Sequence, residues 1–182
     1  MTLFVLESID GAAERRLFSA FGVEFVRTRF AWLNIPLSAA VGVAVALLFA
    51  PVDGSAGTLA AGLAYGALIF VASLAHSLGH VFSSRMASAP VEYVRLSATV
   101  ATMRYTDSSL LSGRVHVLRA LGGPVVNLAL GVGALLLSAA LLESHLLRFF
   151  GAVNLLFGAM TLFPIPSLDG AVIFRQLLGR NP

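Results

Sequence analysis

The sequence predicts an α-helical integral membrane protein of about four transmembrane helices with a small cytoplasmic β element. Three observations lead there. Of 182 residues, 58% are hydrophobic and 12% charged, about half the charged fraction of roughly 25% usual in soluble domains. Four apolar stretches each approach the ~20 residues that a helix needs to cross a bilayer. The twelve basic residues are all arginines, and eleven of them lie outside those stretches.

The elements follow in order. The first stretch covers 31–50 and is closed by a turn containing Pro51, Asp53 and Gly54. The second covers 58–82, long enough to cross with some tilt. The third follows "RALGGP" and covers 124–142, and the fourth covers 146–166 and ends in "FPIPSLDG". Beyond it, "AVIFRQLLGR" reads as a helix lying at the surface. Two pieces outside the spans alternate and are rich in β-branched and aromatic residues, 22–30 ("GVEFVRTRF") and 91–105 ("VEYVRLSATVATMRY"), the latter with Val94, Leu96, Ala98 and Val100 on one face. These predict strands that pair beneath the bilayer. No repeat or long linker interrupts the chain, so residues 1–182 read as a single membrane domain.

Arginine placement sets the orientation, because cytoplasmic loops are enriched in basic residues. Arg15, Arg16, Arg27 and Arg29 precede the first span. Arg85, Arg95, Arg104, Arg114 and Arg119 lie between the second and third, and Arg175 and Arg180 follow the fourth. Only Arg148 falls on the other side, eleven against one, which predicts that both termini are cytoplasmic. The first 30 residues lack a basic start followed by an apolar core, so no cleavable signal is expected.

There is no cysteine, which excludes disulfides and thiolate metal sites and leaves His, Asp and Glu as metal ligands. In "VASLAHSLGHVF", His76 and His80 are four apart and share one helical face. That spacing can supply two imidazoles to one zinc ion; it also suits two histidines bonded to neighbouring helices. Ionisable groups in a membrane segment are costly and mark functional sites. The topology puts Asp169, just after Pro164 and Pro166, at a similar depth. It is either a third ligand or a capping residue at a helix start, where the dipole favours an anion.

Three motifs in order, "HSLGH" (76–80), "GGPVVN" (122–127) and "TLFPIPSLDG" (161–170), make the chain resemble the site-2 protease family of intramembrane zinc metalloproteases. The segment "FGVEFVRTRFAWL" is similar to the strand that leads into the first helix of smaller bacterial members. The resemblance implies zinc held by His76, His80 and Asp169, a substrate or client that is a transmembrane protein or peptide, and residence in the bacterial inner membrane. Lipid bilayer is an implied partner and nucleic acid is not. Asn127 would contact a substrate carbonyl or join two helices, and Gly122, Gly123, Gly131 and Gly133 suit close helix packing.

The departures are equally informative. Ser77 stands where the family has the glutamate of HExxH, Thr161 replaces an asparagine, and Ala171 stands where a second glycine is common. Peptide hydrolysis at zinc needs a carboxylate to take a proton from water and pass it to the leaving amine. A serine hydroxyl is too weak a base for that at neutral pH. General acid–base catalysis contributes about 10²- to 10⁴-fold, so the expectation is a zinc-binding fold with weak or absent proteolysis. The alternative is a non-catalytic scaffold or regulator that binds transmembrane segments. Glu92 and Asp107 are the acids between spans two and three that might replace the lost base, and His116 is a candidate fourth metal neighbour.

Overall fold

Three helices of the computed structural model are long and apolar enough to cross a membrane: Ala31–Phe49, Ser55–Met86 and Gly113–Ala140. The first opens with a single 3-10 turn, Ala31–Leu33, and continues as α1, Asn34–Phe49. Leu47, Leu48 and Phe49 of α1 are all more than 70% exposed. In water such a surface would be costly, whereas in lipid it is at no disadvantage. These are the features of an integral membrane protein. The structure describes residues 14–49, 54–98, 101–105, 111–141 and 143–179.

The helices differ in length from the expected spans. The second helix, α2 (Ser55–Met86), has 32 residues and runs past both expected ends. The third, α3 (Gly113–Ala140), begins eleven residues before the expected start at 124 and carries Pro124 inside it. Pro124 is tolerated there because neighbouring helices and small residues accommodate the break. The fourth apolar helix, α4 (His145–Thr161), has 17 residues and stops short of 166. At 1.5 Å per residue it spans about 26 Å, less than the ~30 Å hydrocarbon layer. Ser144 caps it, its Oγ accepting from the Leu147 amide at 3.4 Å. The final helix, α5, covers Asp169–Leu177 and takes in residues 171–177 of the expected surface stretch.

The chain divides into two compact units, Met1–Ser73 with Glu92–Arg104, and Leu74–Val91 with Tyr105–Pro182. In the first, four strands form one sheet in the order β1-β2-β3-β4: β1 Arg15–Ala20, β2 Val23–Arg27, β3 Val91–Leu96 and β4 Ala101–Tyr105. Phe21 and Gly22, both at positive φ (51° and 65°), make the two-residue turn from β1 to β2. β2 and β3 run parallel, with Glu24 opposite Tyr93 and Arg27 opposite Leu96. Val23, Phe25 and Val94 are buried in this sheet. The two expected extended segments are therefore strands, the second broken after Leu96, while β1 lies outside either expectation. Its residues are mostly exposed; cross-strand pairing with β2 holds it rather than burial. Of the expected apolar face, Val94 and Ala98 are buried and Val100 lies outside the described residues. In the second unit α3 packs along α4 and against α5.

Candidate metal centre

Two elements of the second unit bring three ligand groups to a common point. α2 supplies His76 and His80, one turn apart, and α5 supplies Asp169 from its first residue. His76 Nε2 lies 3.1 Å from His80 Nε2, and the Asp169 carboxylate oxygens lie 3.2 Å from the first and 3.3 Å from the second. Asp169 arrives there because α4 ends at Thr161 and the chain reverses through Pro164 and Pro166, with Ser167 in the left-handed region at φ 79°. That region is uncommon for any residue but glycine, and it marks a tight reversal ahead of the helix start.

Hydrogen bonds fix which way each imidazole faces. His80 Nδ1 is 2.9 Å from the Arg119 carbonyl oxygen, which can only accept, so Nδ1 carries the proton. For His76 the argument runs through two amides. Asn154 Nδ2 donates to the Phe150 carbonyl at 2.8 Å. Its Oδ1 therefore accepts from Asn127 Nδ2 at 2.7 Å, which leaves Asn127 Oδ1 to accept from His76 Nδ1 at 2.6 Å. A backbone carbonyl at the far end thus assigns the tautomer of a histidine two side chains away. Both Nε2 lone pairs then face each other and a carboxylate, three acceptors with no donor among them. Such an arrangement calls for a cation, either a proton or a metal ion.

The donor set fits zinc. With ligand bonds of about 2.0–2.1 Å, tetrahedral zinc holds its ligand atoms about 3.3 Å apart, close to the separations above. Outward Nδ1–H bonds to a carbonyl or amide are what metal-bound histidines use to hold their orientation. The space is also kept clear: a Cβ added at Gly123 would come within 2.5 Å of both Nε2 atoms. Immediately before His80 on α2, a Cβ at Gly79 would meet the Gly122 carbonyl at 2.4 Å, so glycine lets α2 and α3 approach closely enough for the Arg119 carbonyl to reach His80. Burial alone would push the Asp169 carboxyl up, but with a proton shared into the imidazole pair the resulting hydrogen bonds outweigh burial and hold the carboxyl below its ordinary range.

The other residues singled out in the sequence are distributed as follows. Asn127 is fully buried and orients His76. Ser77 is buried on α2 between the two histidines. Among the described residues, the cluster of candidate metal ligands contains His76, His80 and Asp169 but not His116, which sits in the first turn of α3. Glu92 is an exposed residue of β3, and Asp107 lies outside the described residues. Thr161 Oγ1 turns back onto the Gly158 carbonyl of its own helix at 3.3 Å. Gly133, unlike Gly122, Gly123 and Gly131, has nothing within 4 Å of where its Cβ would be. Asn154, fully buried, is the residue that sequence reasoning missed. The signal was a lone amide inside an apolar helix, which must find a partner. Arg119 was also misread as a loop residue: it is buried within α3, its guanidinium 3.6 Å over the Tyr105 ring, a cation–π contact.

No protein-family model matches the chain, and no curated protein matches it. Among solved structures it is similar to the site-2 protease from Methanocaldococcus jannaschii, with a TM-score of 0.65 and 19% identity over 93% of this chain and 73% of that one. At that identity the likeness establishes a site-2-protease-like fold.

Proposed function

We propose that the protein is a site-2-protease-like intramembrane zinc metallopeptidase homologue with weak or absent proteolysis. The observation that carries the reading is the convergence of His76 Nε2, His80 Nε2 and the Asp169 carboxylate, whose two oxygens each lie against one imidazole, all acceptors, at 3.1–3.3 Å. Bound zinc would supply a Lewis acid for a peptide carbonyl and make a water more acidic. His76, His80 and Asp169 would hold the ion, and the Arg119 carbonyl and the Asn127–Asn154 pair would keep the imidazoles aimed. Ser77 has no carboxylate to move a proton from water to the leaving amine. The alternative, a non-catalytic zinc-binding scaffold or regulator of transmembrane segments, draws support from the same serine, since binding needs the fold and the metal but no base.

In this reading α4 completes a fourth span, both termini are cytoplasmic, and the membrane is the bacterial inner membrane. The client is a transmembrane segment in extended form, for which β4, an edge strand of the sheet, offers unpaired backbone groups.

Metal analysis of the purified full chain tests the proposal. About one zinc per chain is expected, and a chain that takes up no zinc under saturating conditions would refute it. Asn127→Leu removes the acceptor that orients His76. Loss of such an outer partner costs about 10- to 100-fold in metal affinity, so chelator competition should show a drop of that size. An unchanged affinity would mean that the amide pair only joins helices.

A further inference from the structure

The first unit contains a second feature that the metal reading does not use. A cavity of about 230 Å³ is lined by Arg15, Arg27, Thr28 and Arg29. Arg15 on β1 stands directly opposite Arg27 on β2. Like charges in that relation destabilise a sheet. The neighbouring arginines are neutralised, Arg16 by Glu24 at 2.9 Å and Arg95 by Glu14 at 3.1 Å. Arg15 and Arg27 have no acid as an ion-pair partner among the described residues, and Arg29 lies 5.6 Å over the Phe30 ring. Thr28, 1% exposed, has an Oγ1 with no hydrogen-bond partner, although its amide is bonded to the Leu96 carbonyl at 3.0 Å. A buried hydroxyl is rarely left in that state. Three guanidiniums and an unused donor therefore border one small space, and among the described residues no acid pairs with Arg15 or Arg27.

Guanidinium forks and a hydroxyl are the donors that bind phosphate oxygens. The cavity is smaller than the 300–1,000 Å³ of typical small-molecule pockets, which suits a phosphate group and not a nucleotide. Its position supplies the source. Arg29 stands two residues before Ala31, where the first candidate span begins, and Trp32, 61% exposed, is the kind of residue that sits at headgroup level. We propose that Arg15, Arg27, Thr28 and Arg29 form a phosphate site, filled by the headgroup phosphate of an anionic phospholipid. The inference rests on the membrane reading alone and is independent of the metal and of proteolysis.

The test uses the purified full chain in neutral detergent, titrated separately with short-chain phosphatidylglycerol, short-chain phosphatidylcholine and inorganic phosphate, with binding read by the shift of the thermal midpoint. Phosphatidylglycerol is expected to stabilise the wild type more than phosphatidylcholine, whose ammonium compensates the charge. The double variant Arg15→Gln/Arg27→Gln should bind it about 25-fold more weakly, at roughly fivefold for each basic residue at a membrane surface. Without lipid, that variant should melt higher than the wild type, because the opposed charges are gone. Thr28→Val keeps every charge and the side-chain shape, and should still weaken binding. Inorganic phosphate matching phosphatidylglycerol would support the site while making the ligand a soluble phosphate. Equal phosphatidylglycerol binding by wild type and double variant, or full binding by Thr28→Val, would overturn the proposal. Zinc content should be unchanged in every variant, so this result and that of the metal analysis are read separately.

Discussion

Asp169→Asn is expected to abolish stoichiometric zinc binding and, in the same protein, to raise the thermal midpoint of the metal-free form. Both follow from the acceptor count. Asp169 lies 3.2 Å and 3.3 Å from two Nε2 atoms whose Nδ1 partners assign them as lone pairs. Without a cation the three groups repel, or one imidazole must take a proton. An asparagine in this place can turn its amide toward the Nε2 atoms and donate. A hydrogen bond gained there contributes about 1 kcal/mol, a shift of a few degrees in a chain of this size. Zinc, which needs the anionic ligand, should no longer raise the midpoint. His76→Ala should lose zinc as well but with the opposite effect on the metal-free form, because it leaves the buried Asn127 Oδ1 without its histidine, at a cost of about 1–3 kcal/mol. Metal analysis and melting curves with and without chelator measure all of this. Zinc bound by Asp169→Asn at wild-type affinity would remove Asp169 from the ligand set.

The convergence of these side chains was legible in the sequence to an uneven degree. His76 and His80 could be paired because helical periodicity alone puts residues four apart on one face. Asp169 could be added because two prolines announce where a helix must stop and the chain turn. The apolar spans were visible for the same local reason, yet their ends were not. α3 begins at Gly113 although Arg114, His116 and Arg119 read as loop, since a buried Arg119 stacked on Tyr105 is a tertiary fact that hydropathy does not carry. The hydrogen-bonded chain from Phe150 through Asn154 and Asn127 to His76 spans three helices. No spacing rule encodes it; only packing selects which buried amide meets which. β1 escaped notice for a related reason, as its exposed residues give no alternating pattern and its partner strand supplies the hydrogen bonds.

Ser77→Glu is expected to raise cleavage of a transmembrane reporter by about 10²- to 10⁴-fold over the wild type, the range that a positioned proton shuttle contributes. Position 77 adjoins one proposed ligand and lies three residues before the other, so a carboxylate there starts from the turn of α2 that carries the metal. Ser77 is 3% exposed, and a longer acid has to find room and a polar partner, because a buried carboxyl left unpaired takes up a proton instead of accepting one during the reaction. Nearby zinc would supply the positive charge that keeps it ionised. Ser77→Gln has nearly the same bulk without the basicity, and should remain at the wild-type rate. The double variant Ser77→Glu/Asp169→Asn should also stay inactive, because the new base would have no metal beside it. A wild type that already cleaves as fast as Ser77→Glu would show that another group serves as base. A zinc-loaded Ser77→Glu protein that cleaves nothing would place the missing element beyond position 77, and the scaffold reading would then stand in place of the enzyme.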